Sequence, residues 1–169
     1  MDTKTLEIFK QVVDMNNKLI EMGYKITPMC FIIDKKGALS IIAMPFSNDK
    51  EKEKCRLVIM KMISLSDLKA YIFVSDTNMT LMDQTGKKEN TVQEVCIRTL
   101  YSVDEIVRDW VIHDGSKIIG QFDTKSFDDP QAKFSDMWNF WGSPIELEDE
   151  EKMNKEYYEF KRTHRELYK

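Results

Sequence analysis

Met29-Cys30-Phe31-Ile32-Ile33-Asp34-Lys35-Lys36-Gly37-Ala38-Leu39-Ser40-Ile41-Ile42-Ala43-Met44 is the stretch that decides the fold. Two apolar runs, residues 29–33 and 39–44, flank a four-residue turn that opens with Asp and closes with Gly. That pattern favours a type I hairpin loop. Pro28 and Pro45 mark the outer ends of the hairpin. Both runs are apolar almost throughout, which predicts two central strands covered on both faces.

Something must supply those covers, and the flanking sequence reads as helical. Before the hairpin, Leu6, Phe9, Val13 and Ile20 line one side of an amphipathic helix over residues 3–22, with Gly23 placed to stop it. After it, Ser47-Asn48-Asp49 supplies N-cap chemistry for a second helix, whose buried side carries Leu57, Val58, Met60, Met62 and Ile63. A third strand is expected at residues 70–75. Residues 76–91 show little periodicity and read as a sixteen-residue loop with Gly86-Lys87-Lys88 at its tip. A meander follows at residues 92–101, 105–113 and 117–122, its last turn built on Asp114-Gly115. In its middle strand Ile106, Trp110 and Ile112 share a face that Arg108 interrupts, while Val107 and Val111 make the other face apolar too. Two more helices close the chain, at 130–141 and from about 148 to 168.

Short strand-to-strand turns demand antiparallel pairing, while the single helical crossover between residues 44 and 70 allows two strands to run parallel. The expected fold is therefore α+β, with a mainly antiparallel sheet of about six strands. The element order is similar to profilin-like and roadblock-type arrangements, an analogy that carries no function. Residues 1–147 are expected to form one domain, with 148–169 a charged helix packed on that domain or on a second subunit.

The 169 residues are 42% hydrophobic and 32% charged, with 6 Gly and 4 Pro, which excludes fibrous, low-complexity and globally disordered classes. A net charge of -4 argues against a general polyanion binder, so no general nucleic-acid binding is expected. The three cysteines, Cys30, Cys55 and Cys96, are odd in number and widely spaced, and read as buried free thiols. The N-terminal stretch is amphipathic rather than signal-like, and no apolar run approaches the ~20 residues of a membrane helix. A cytoplasmic protein with no membrane partner is expected.

Ala70-Tyr71-Ile72-Phe73-Val74-Ser75-Asp76, placed between a helix and a meander, resembles a strand of small uncharacterised proteins of prokaryote and phage genomes. The resemblance spans about residues 24–120. It implies a shared α+β fold and no known activity. Where this chain has Ser75-Asp76-Thr77-Asn78, those proteins carry Ser-Glu and then a Trp two residues on.

Motifs for chemistry are sparse. His113 and His164 are the only histidines, too few and too distant for a multi-histidine zinc site. Glycine-rich phosphate loops and the nucleophile elbow are absent, and no cofactor is expected. Asp34, Asp76, Asp83 and Glu94 are carboxylates at expected strand ends or turns. Brought together they would hold a divalent cation for phosphodiester or nucleotide hydrolysis. The Glu-x-Lys spacing used by some nucleases fails, because Glu94 is followed by Val95-Cys96. His113-Asp114-Gly115 reads as a solvated flank of a hairpin tip.

Two helical stripes carry more apolar area than chemistry. Phe134, Met137, Trp138 and Trp141 fall at i, i+3, i+4 and i+7. Met153, Tyr157, Phe160, His164 and Leu167 make a narrow seam that needs a single partner helix, either the first helix of the chain or one from another subunit. The expected function is a small interaction or regulatory domain that forms a homodimer, with Phe134, Met137, Trp138, Trp141, Met153, Tyr157 and Phe160 as partner-binding residues and the 76–91 loop as a further contact. A metal-dependent hydrolase using the four carboxylates is the alternative.

Overall fold

The computed structural model describes residues 1–82, 88–102, 105–123 and 147–163, with side chains excepted at 79–82, 88–91 and 147–149. The first helix, α1 (Thr3–Glu21), begins where Asp2 accepts the Thr5 amide at 3.2 Å. It ends in a Schellman turn: Gly23, at φ +78°, donates to the Ile20 carbonyl and Tyr24 donates to Leu19. The hairpin follows as β1 (Met29–Asp34) and β2 (Leu39–Ala43). Its turn is closed by Gly37 at φ +82°, with the Asp34 carboxylate accepting the Ala38 amide at 2.8 Å.

The second helix, α2 (Asp49–Leu65), is capped reciprocally: Asn48 accepts the Glu51 amide and Glu51 accepts from both the amide and hydroxyl of Ser47. Four strands come next, β3 (Leu68–Met82), β4 (Lys88–Ser102), β5 (Ile106–His113) and β6 (Ile118–Asp123), and then α3 (Leu147–Thr163). The sheet order is β2-β1-β3-β4-β5-β6 with every neighbour antiparallel. β2 and β3 therefore run parallel to each other with β1 between them, so the α2 crossover steps over a strand.

Helices cover both faces. Phe9, Val12, Val13 and Ile20 of α1 pack on Phe31, Ile33, Ile72, Val74, Cys96, Leu100 and Val111. On the opposite face Val58 and Ile59 of α2 and Tyr157 of α3 meet Cys30, Ile32, Ile42, Tyr71, Phe73 and Tyr101. There Tyr71 and Tyr101 stack with ring centroids 4.8 Å apart.

Two sequence expectations need correction. Residues 76–91 are not a long loop: β3 continues to Met82 and β4 starts at Lys88, and their register holds from Ala70↔Ser102 out to Thr80↔Val92. The backbone pairing of this extension is not announced by the sequence, because residues 76–91 lack the clear apolar alternation that marks a strand resting on a core. Residues 83–87, with the proposed Gly86-Lys87 tip, lie outside the described residues, as does the expected 130–141 helix. Secondly, β2 is an edge strand rather than a central one, with only Ile42 buried.

Candidate functional site

β2 owes its exposed face to its place in the sheet. Ile42 points under α2 and is buried, while Leu39 and Ile41 point to the α1 side and are 43% and 59% exposed. Their partners across the hairpin, Ile33 and Phe31, are buried, so the cover of α1 stops one strand short of this edge. The main chain fixes which polar groups face outward. Met44 donates to the Pro28 carbonyl and Asp34 donates to Ala38, so the even-numbered residues of β2 bond to β1. The N–H and C=O groups of Leu39, Ile41 and Ala43 point away from the sheet.

No charged residue interrupts Leu39–Ala43, although natural edge strands are commonly blunted by inward charges, bulges or proline. The usual signs appear only at the ends. Gly37 turns the chain away, and Pro45, in phase with the outward residues, has no amide to offer. The available edge is therefore three residues long. The sequence signal for it was an uncharged apolar strand with one serine; continuity of apolar residues suggested double cover, and an unguarded edge gives the same pattern.

Most of the polar chemistry lies on the α1 face toward β6. Arg98 is fully buried and its guanidinium pairs with Asp109, whose other carboxylate oxygen accepts from Gln121 at 3.0 Å. His113 is 5% exposed, which corrects its expected place as a solvated flank. Its Nε2 lies 3.0 Å from the Asp76 carboxylate and its Nδ1 accepts the Gly115 amide at 3.2 Å. This pattern puts the proton of the neutral ring on Nε2 and leaves no lone pair free for a substrate. Burial raises the Asp76 pKa, with the hydrogen bond from His113 opposing it. Cys96 lies on this face too, its thiol pushed up to about 11 by burial, which makes it a poor nucleophile.

The carboxylates proposed for a metal are only partly brought together. Asp76 and Glu94 converge on His113, the Glu94 carboxylate standing 3.6 Å from Nδ1. Asp34 sits opposite Leu68, eight residues back along β3 from Asp76, which is roughly 26 Å at strand rise. Its carboxylate is engaged by the hairpin turn. Asp83 is outside the described residues. Among the described residues no group of three His, Cys, Asp or Glu side chains is arranged to hold a metal ion.

Of the expected partner-binding residues, Phe134, Met137, Trp138 and Trp141 lie outside the described residues. Met153 and Tyr157 are buried inside this chain: Met153 packs on Leu57 and Met60 of α2, and Tyr157 joins the core beneath it. The helix that seats the terminal seam is thus α2, while α1, the in-chain candidate, is on the other side of the sheet. Phe160 lines a cavity of about 340 Å³ with Cys55 and Val58, beside a Lys54–Glu156 ion pair at 3.5 Å. His164 and Leu167 are not among the described residues. A scan against models of known protein families, a search of curated proteins and a search of solved structures each return no match to this chain.

Proposed function

We propose that this chain is an interaction domain that binds extended polypeptide by strand addition at β2. The observation that carries the reading is the uncharged edge with outward backbone groups at Leu39, Ile41 and Ala43 beside exposed apolar side chains. In strand addition, main-chain hydrogen bonds supply affinity and alternate side chains supply selectivity. Here the alternate side chains are Leu39 and Ile41, which favour apolar residues at every second position of the ligand. The three free thiols support a reducing, cytoplasmic setting. No helix among the described residues is long and apolar enough to cross a membrane.

Selection of random peptides on the purified protein tests the reading. Alternating apolar sequences that bind the native chain and not Ile41→Lys are expected. Enriched peptides that bind both proteins equally would move the binding surface elsewhere.

A further inference from the structure

Resting on the strand-addition reading, we infer that the strand added at β2 is β2 of a second copy, paired antiparallel about a two-fold axis through Ile41. The three outward residues are symmetric about that position. Ile41 meets Ile41, and Leu39 meets Ala43 in both directions, each pair exchanging both N–H···O=C bonds because all three residues face outward. Pairing stops at the same place on both sides, since Pro45 of one copy falls opposite Gly37 of the other.

The side chains agree with this axis. Leu39, Ile41 and Ala43 are all on the α1 side, so the two copies contribute one apolar stripe across the joint, filling the strip that α1 leaves bare. The antiparallel direction also sets the turn of each copy, with exposed Lys36, beside the first turn of the other copy's α2, where Asp49 and Glu51 alternate with Lys50 and Lys52. The product is a continuous twelve-stranded sheet with β6 at both ends.

Light scattering across micromolar to near-millimolar concentration tests the inference on the full chain. The native protein is expected to pass from 20.0 kDa to twice that mass. Ile41→Lys should hold at the monomer mass with an unchanged circular dichroism spectrum. Lys36→Glu should weaken the dimer several-fold, and Lys36→Glu with Asp49→Lys should restore much of it. A dimer that persists undiminished in Ile41→Lys would overturn the inference. So would a native protein that stays monomeric throughout. In that case, a soluble peptide of residues 36–46 that protects the Ile41 amide from exchange would leave strand addition standing and remove only the second copy, whereas no protection by it or by any selected peptide would remove both.

Discussion

The two edges of this sheet are built on opposite plans. At β6 the strand carries Gly120 in its middle, Gln121 and Asp123 along its length, and a register shift where it leaves His113. Phe122, still 40% exposed, packs edge-on against Trp110 with centroids 5.4 Å apart. Behind it, a polar row of Gln121, Asp109 and Arg98 ties the edge inward. At β2 there is no charge and no bulge, and no polar tie among the described residues, and the apolar side chains Leu39 and Ile41 are exposed. β6 exposes Ile119 and Phe122 as well, at 61% and 40%, but Gly120, Asp123 and the register shift interrupt it, whereas β2 runs uninterrupted, and the proposed interaction surface rests on that difference.

The largest effect is expected where the β6 side is tied down. Replacing Arg98 by Met leaves the Asp109 carboxylate buried beside an apolar neighbour and should cost about 3–5 kcal/mol. Adding Asp109→Leu should recover much of the loss. Urea unfolding of the two variants measures both; equal stability of native protein and Arg98→Met would mean the row does not hold this edge.

Within β2 the contrast is between neighbours. Ile42 is buried under α2, so Ile42→Ala should destabilise the fold by about 2–5 kcal/mol. Ile41→Ala, one residue away, should stay within about 0.5 kcal/mol in dilute solution because Ile41 is exposed there. A large cost at Ile41 in the monomer would show that the strip is already covered. The matching pair across the sheet is Ile41→Lys and Ile119→Lys. Both side chains are about 60% exposed, at 59% and 61%, yet only the first substitution should change the concentration dependence of the mass.

What was legible beforehand follows from where local chemistry and tertiary structure agree. α1, the first hairpin and α2 were readable because their caps and turn are local events: the Asp2 and Asn48 caps, Gly23, and the Asp34 to Gly37 turn. The outer half of the β3–β4 hairpin was not, because residues 76–91 show no clear apolar alternation although their backbones pair. β2 reads as a strand but as a central one, since a strand buried on both faces and an unguarded edge look alike in one dimension. His113 reads as exposed for the opposite reason. Its Asp-Gly neighbours do form a turn, with Gly115 at φ +90°, but only the long register of β3 and β4 brings Asp76 and Glu94 to the ring.

A smaller effect distinguishes the polar end from the apolar edge by pH. Burial, the largest cause, raises the Asp76 pKa above the ordinary 3.8; the neighbouring Glu94 carboxylate adds to the rise, while His113 and Lys25 oppose it. The contribution of a group raised in the fold is full below its unfolded pKa and is lost as pH climbs through its folded pKa. Asp76→Asn should therefore flatten the decline in stability that this group causes from about pH 4 upward. Substitutions at Ile41 should leave that pH profile as it is. Urea midpoints measured at a series of pH values check this, and identical profiles for native protein and Asp76→Asn would remove Asp76 as the source.

The most direct measurement is residue-resolved amide exchange at two protein concentrations. Ser40 and Ile42 face β1, so their amides should be protected at both. The amides of Leu39, Ile41 and Ala43 should exchange freely when the protein is dilute and become protected together when it is concentrated. The amides of β6 should not change. Free exchange of Leu39, Ile41 and Ala43 at every concentration, or protection that appears at β6 instead, would contradict the account.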